Sequence, residues 1–559
     1  MKSILKKALV LLGTLLVIFL AAITIGKSFL ISEIKSRLEE QIHKLRDAGY
    51  IVSYDSITLD WQENAVEVFS LSVKHDLDSA LCEKTDFISA KHIKAGGFRI
   101  IPLLLRSRLS FGSIVLDSPK VVINERLIKE DSVTRKRKEF TIVVDDLKLP
   151  DLYLVIYDSK SCRTGSTYYA NASVNDFKLA FYEDRPMLVD VTAFRADSIQ
   201  IEIPDEYYSM RIKEVSFKPA MGIVDLDTLQ IIPKLGKIAF GRQKGYETDR
   251  IEGMIPYINL YGLELNRGDS MTISARKMTT QIFLKVFRDK RLPFKRKYKN
   301  LPVAAINKLP VGIRINSVVL NKSYVEYEEF AEEADSAGSV FFDNMFATIK
   351  NINNTDISGK GETELIAKAD FMGAGTVKVH AVLPWDTRIR ETVTGSVENL
   401  DMKRLNRMIE PAIQVRAESG HLDKLTFEFT SNGSHAKGGI ELDYKNLRLT
   451  TYKSENRIEK IVKRKKRRHQ EVDEDDEKIK KASFKTFIVN TFIIRKNMNK
   501  NVPEEKRTGT IDFERDPAKS VFNFWWKSLL SGVKSAYNIE KLQDSKLTRL
   551  LRKKDRSGP

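Results

Sequence analysis

Residues 113–125 read SIVLDSPKVVINE, with apolar side chains at Ile114 and Leu116, a polar break, and apolar side chains again at Val121 and Ile123. Successive side chains of a strand point to opposite faces, so each half presents one apolar side while Val115 lies out of phase. Residues 317–329, SVVLNKSYVEYEE, repeat the layout, with Val318, Leu320, Val325 and Tyr327 in the matching places and Val319 out of phase. Leu147, Leu149, Leu154 and Ile156 of LKLPDLYLVI follow the same rhythm. Period-two segments such as YIVSYDSITLD at 50–60 and AVEVFSLSVK at 65–74 recur to about Leu449, whereas long helical patterns are nearly absent. A short helix or a linker is expected at 300–309, and a short helix at 402–409 before Pro411. The chain is therefore expected to be mainly β, with antiparallel or meandering strands. Periodicity leaves two architectures open, a closed β-sandwich of hairpins and an open curved sheet whose apolar face forms a groove.

Outward from this body, residues 8–26 (ALVLLGTLLVIFLAAITIG) run without a charge and are long enough to cross a bilayer as a helix. Lys2, Lys6 and Lys7 precede them with no acid, so residues 1–7 are expected to be a cytoplasmic tip and the body to be exported. A cleaved signal peptide fits less well, because its apolar core is shorter and Ala21-Ala22 is followed by Ile23-Thr24-Ile25. Ile31, Ile34, Leu38, Ile42 and Leu45 mark a juxtamembrane helix over 27–49. An N-terminal β region over 50–299 and a second over 300–450 follow. Residues 451–482 carry KRKKRR and then EVDEDDEK and read as a mobile charged insertion. Residues 483–500 hold the apolar run FKTFIVNTFII, too short to span a membrane.

The tail, 501–559, contains an amphipathic helix over 517–537, with Asp516 as N-cap and Pro517 at its first position. Phe522, Trp525, Leu529, Val533 and Tyr537 share one face, and Trp525 and Trp526 stand beside Lys527 and Lys534. That combination suits a membrane interface. A helix plugging the core of the sheet is the alternative.

A 42% hydrophobic and 9% aromatic composition is enough to bury cores, which excludes a disordered stalk. Lys and Arg outnumber Asp and Glu by 93 to 75; with an export anchor, the excess argues for anionic lipid head groups and against nucleic acid. Cys82 and Cys162 are the only cysteines, so either one disulfide or two unpaired thiols is open and a CxxC metal or redox site is excluded. The seven histidines form no HExxH, no GxSxG elbow occurs, and Gly26-Lys27-Ser28 lacks the earlier glycine of a P-loop. Asp145-Asp146 and Glu328, Glu329, Glu332 and Glu333 read as solvated acidic faces. No catalytic residue, metal or cofactor is expected.

An N-terminal anchor and helix, then GYIVSYDSITLDW, IPLLLRSRLSFGSIVLDSPKVVINE and SGHLDKLTFEFTSNGSHAKGGIELDYKNLRL, together resemble the AsmA-like family of bacterial envelope proteins in a divergent, Bacteroidetes-type form. The likeness is closest in the N-terminal quarter and over 400–449. It implies a single-pass inner-membrane protein with a periplasmic body, similar to bridge-like lipid transfer proteins, whose long sheet holds phospholipid in an apolar groove. Its partners would be phospholipids, the inner membrane and other envelope proteins. A structural or adaptor role in outer-membrane protein assembly is the alternative. Two acyl chains, at about 0.8 kcal/mol per CH₂, need roughly 20 kcal/mol of exposure covered in transit, which calls for a continuous apolar face. Roughly 25 strands at about 4.8 Å would extend about 120 Å.

Overall fold

A computed structural model describes residues 50–60, 65–75, 87–97, 99, 108–124, 138–157, 164–182, 185–190, 193–202, 207–267, 271–332, 334–356, 360–413, 415–451 and 508–536. They are mainly β, with 24 strands in mixed pairing and a few short helices. Two compact units are present, Met1–Lys234 with Met254–Met271, and Leu235–Gly253 with Thr272–Pro559.

In the first unit the long strands Lys138–Tyr157 and Thr164–Tyr182 pair antiparallel. Two short strands, Arg108–Asp117 and Lys120–Asn124, lie end to end along Lys138–Tyr157, both parallel to it. Both also pair antiparallel with Phe87–Gly96, beyond which lies Ala65–His75. On the other side Ala193–Glu202, Tyr208–Lys218 and Ile223–Pro233 follow as an antiparallel meander.

The polar break at 117–120 does not reverse the chain but bends it. Ser118 takes a left-handed φ of 46°. Its N–H donates to Pro150 O at 3.0 Å, and Tyr153 N–H donates to Pro119 O at 2.8 Å, so the ladder resumes in the same direction. One left-handed residue in a strand works as a bulge does, turning the following side chains to the other face. Ser70, Asp151, Ser198 and Thr228, at φ of 44–55°, stand at adjoining register positions, so a crease crosses the unit. Short polar side chains pay least for this conformation because they bond locally. Asn171 holds two creased strands together, its Oδ1 accepting from Asp151 N–H at 3.0 Å and its Nδ2 donating to Asp197 at 3.1 Å.

The second unit repeats the plan. Met271–Thr280 and Phe283–Asp289 lie end to end, both parallel to Gly312–Phe330, which bends at Lys322 with φ 38°. Antiparallel partners follow in chain order: Gly338–Asn353, Glu362–Phe371, Gly375–Pro384, Glu391–Asp401, Val415–Ser431, His435–Thr451 and Thr508–Glu514. The parallel pairs correct the purely antiparallel expectation. Such pairs need a connection of a dozen residues or more, and that length separates Asn124 from Lys138 and Asp289 from Gly312.

Among the described residues the α-helices are Lys237–Lys244, Pro302–Asn307, Asn406–Ile413 and Val521–Ala536. Pro411 lies inside the third rather than after it, removing one helical hydrogen bond without ending the helix. The fourth begins later than expected. Asp516 closes its own turn by accepting from Ala518 N–H at 3.0 Å, and the cap is Ser520, whose Oγ accepts from Asn523 N–H at 3.3 Å. Its buried face is Phe524, Ser528, Gly532 and Ala536, one position off the stripe expected from Phe522, Trp525 and Leu529.

The readings for 1–49, Cys82, Cys162, the charged insertion, the 483–500 segment and Tyr537 lie outside the described residues, as does the side chain of Ile123. Among the described residues no helix is long and apolar enough to cross a membrane.

Candidate functional site

In the first unit, cross-strand neighbours form one row: Val66, Ala95, Ile114, Leu147, Val174, Phe194, Phe217 and Val224. Residues sharing a register position point to the same face, so this row is a continuous apolar line across the strands. A second line runs from Val68, Ile93 and Leu116 to Ala196, Val215 and Leu226. The row between them, out of phase by one residue, holds Glu67, Lys94, Val115, Lys148, Arg195 and Asp225. That face is solvated, with Arg195 paired to Glu214 at 2.9 Å, an exposed contact worth about 1 kcal/mol or less.

Beyond the crease the apolar line shifts by one residue, to Ile88, Val121, Leu154, Tyr168, Ile201, Met210 and Ile231. The shift keeps the apolar side chains on one side. Val68 and Leu71, three residues apart across Ser70, pack into the same cluster, as do Ala90 and Ile93. A second crease near Gly97 and Gly112 repeats the effect, because Phe111 joins Ile114, and Val144 joins Leu147, in that cluster. There the strands touch closely: a Cβ on Gly97, already at φ +68°, would sit 3.1 Å from Gly112 Cα.

The face is buried along its middle, at Val66, Ile93, Ala95, Ile114, Val174 and Ala196, whereas Leu116, Val121, Leu154, Ile201 and Leu226 are half-buried. Among the described residues of this unit, no second sheet and no helix longer than the turn Pro219–Met221 lies over it.

The second unit has the same apolar lines but covers them. Met278, Val318, Ile349, Leu365, Ala381, Val393, Phe429, Gly438 and Ile511 form one row. Leu320 continues through Ala347, Val379 and Phe427 to Ile440. Phe524 packs into this face at 1% exposure, with Trp525, Leu529 and Val533 beside it and Leu301 and Val303 closing in from elsewhere. Close approach depends on glycine: a Cβ on Gly509 would run into the carbonyl of Gly532. Of the expected interface residues, Trp525 and Leu529 thus belong to the protein core, while Phe522 and Trp526 are 43% and 46% exposed and Lys527 and Lys534 face solvent.

Beyond Lys322, Val325 neighbours Leu284 and Phe342, and Tyr327 neighbours Val286 and Val340. Tyr327 ends the apolar line on an ionic group. Its hydroxyl donates to Glu329 at 2.7 Å, and burial, then the Glu329 charge, pushes its pKa far up. Nearby, Arg288 bridges Glu247 at 3.2 Å and Asp249 at 2.6 Å, and Lys519 reaches Glu247 at 3.4 Å. The sequence reading missed this cluster, although the basic run RDKRLPFKRKYK at 288–299 marks it.

A shallow depression of about 590 Å³ is lined by Val319, Phe346, Thr348, Ile366 and His380 of the out-of-phase positions and by Leu320, Ala347 and Val379 of the apolar line. No three His, Cys, Asp or Glu side chains among the described residues converge as a metal site. No family model and no curated protein matches the sequence.

Proposed function

We propose that this chain is a non-enzymatic lipid carrier of the bacterial envelope, of the AsmA-like bridge type, anchored in the inner membrane with a periplasmic body. The observation that carries the reading is the apolar face of the first unit, which stays in phase across its creases and is only half-buried at Leu116, Val121, Leu154, Ile201 and Leu226, beside a buried middle of Val66, Ile93, Ala95, Ile114 and Val174. Acyl chains suit such a surface. Passive movement along it requires only repeated, shallow burial at about 25 cal/mol per Å² of apolar surface.

Photo-crosslinking in the full chain tests this. Probes at Ile114, Leu116, Leu154 or Leu226 should capture phospholipid identified by mass spectrometry, and probes at Val115 or Asp225 should not. Equal capture from both sets removes the groove. Capture of outer-membrane proteins without lipid would favour an assembly adaptor. The anchor is tested separately, since mature protein beginning near Lys27 would contradict it.

A further inference from the structure

We infer that one end of the second unit's sheet docks on an anionic bilayer surface, through cations and apolar side chains carried on neighbouring loops. This contact adds to the lipid-carrier reading without using the first unit's apolar face. The register sets Gly312, Pro384, Glu391, Ser431, His435 and Glu514 at one end of their strands. Residues 290–311 lead into Gly312, 385–390 join Pro384 to Glu391, and 515–520 follow Glu514. Direct contacts tie these three segments together. Lys299 N–H donates to Pro517 O at 2.8 Å, and the Arg515 guanidinium donates to Lys299 O. Arg296 reaches Asp516 at 3.3 Å, and Asn307 Nδ2 donates to Trp385 O at 3.3 Å. Lys308 lies over the Tyr298 ring, 5.9 Å from its centroid.

What the loops present is both basic and apolar. Residues 290–311 hold seven Lys or Arg and no acid, and within them FKRKYK at 294–299 interleaves cations with aromatics. In the neighbouring loop Ile389 stands between Arg388 and Arg390. Phe294, Tyr298, Leu309 and Ile389 are exposed, four of the eight large apolar side chains that the second unit exposes among its described residues. Lys297 and Arg390 are exposed too, and among the described residues neither has an ion-pair partner. Cations are drawn to anionic head groups, and aromatic side chains settle at head-group level. A protein partner would call for a packed apolar centre. Here cations separate the apolar side chains, an arrangement that a fluid lipid surface accepts because it requires no matching shape.

The test uses full-length protein in phosphatidylcholine nanodiscs, so that the expected anchor is already occupied. Larger vesicles of phosphatidylcholine, with or without phosphatidylglycerol, are added and recovered by flotation. Vesicles with phosphatidylglycerol should bind at least tenfold tighter than those without, and less so at high salt. Lys297→Gln with Arg390→Gln should weaken that binding about fivefold for each cation removed, whereas Lys297→Arg with Arg390→Lys should keep it. Tyr298→Ser with Ile389→Ser should weaken it severalfold while the preference for phosphatidylglycerol remains. Melting temperatures should not move, since all four side chains are exposed. Equal binding of the two vesicles, or a glutamine variant that binds as wild type does, overturns the contact. An unchanged serine variant leaves a site for charge alone and overturns the bilayer assignment. Polyglutamate binding as tightly as the anionic vesicles does the same, in favour of an acidic protein segment. Loss from Phe522→Ser with Trp526→Ser instead overturns it in favour of the tail helix. If vesicle binding fails while lipid still crosslinks at Ile114, the carrier reading stands without this contact; if vesicles bind and no lipid crosslinks, the contact stands without the carrier.

Discussion

The backbone N–H of Thr510 donates to the hydroxyl of Ser535 at 3.1 Å. Two residues along, Asp512 N–H donates to Ser531 at 3.3 Å. Among the described residues Thr508–Glu514 has a neighbouring strand on one side only, and these are its outward-facing donors. Open strand edges invite pairing with other chains, and here one face of a helix closes the edge with hydroxyls. Ser531→Ala with Ser535→Ala should therefore cost about 1–3 kcal/mol through the two lost bonds, read by urea unfolding, and should raise self-association on sizing columns. A double variant as stable and as monomeric as wild type would show that the edge needs no such cover.

The same helix separates core from surface by one position of rotation. Phe524→Ala should destabilise by about 3–5 kcal/mol, as large aromatic truncations in cores do. Trp526→Ala should stay within about 0.5 kcal/mol, as exposed substitutions usually do. Comparable losses from the two would mean that the helix lies differently on the sheet. Gly532→Leu should expose the apolar face, because even a Cβ there would come within 2.5 Å of Ile440 Cγ2. Increased binding of a hydrophobic dye would report that exposure.

Glu391 lies under this helix, and burial raises its pKa against the opposing pull of Ser431, Trp525 and Arg515. Those neighbours are imperfectly placed, since Glu391 Oε1, Trp525 Nε1 and Arg515 Nε lack good hydrogen-bond geometry. A carboxyl with a raised folded pKa binds its proton more tightly folded than unfolded, so its contribution to stability falls as pH rises above the ordinary glutamate value. Glu391→Gln should remove that fall. Wild type and variant should differ little in melting temperature near pH 4, with the variant ahead at pH 7. Parallel curves would place the titration elsewhere.

Much of the pattern was legible in the sequence and its geometry was not. The apolar pairs 114/116 and 121/123 could be read because half-buried strands alternate, and the αL residue between them could not, because Ser-Pro is equally a turn signal. The same ambiguity misaligned the copies. Residues 113–125 and 317–329 share a layout, yet the first is two strands laid end to end and the second lies within one strand, Gly312–Phe330. The true counterpart of 317–329 is Lys138–Tyr157, which carries LKLPDLYLVI and bends at Asp151. In the tail helix Trp525, Leu529 and Val533 of the expected stripe do pack on the core, but at the flank of the buried face, whose centre is held by Ser528, Gly532 and Ala536 because they are small.

Crease residues can be tested directly. Ser118→Gly should be neutral or stabilising by up to about 1 kcal/mol, because glycine adopts positive φ without strain. Ser118→Val should cost about 1–2 kcal/mol or more, since a β-branched residue fits that region poorly. Deleting Ser118 leaves Leu116 and Val121 four residues apart, so alternation alone keeps Val121 on the apolar face, and the expected loss is that of the Ser118 N–H bond to Pro150 O and of the bend shared with Asp151. Equal stability of the glycine and valine variants, measured by urea unfolding, would show that Ser118 does not bear the bend.

The creases also separate two dimensions that an ordinary sheet couples. Along a strand, the distance from Gly112 to Ser118, or from Asp145 to Asp151, sets how wide a flat apolar panel can be, about 20 Å at the rise of a strand. Across the strands, nothing in the crease limits how many follow one another. Panel width and strand number are thus written in different parts of the sequence, so a chain of this plan can gain or lose hairpins while each panel keeps its width.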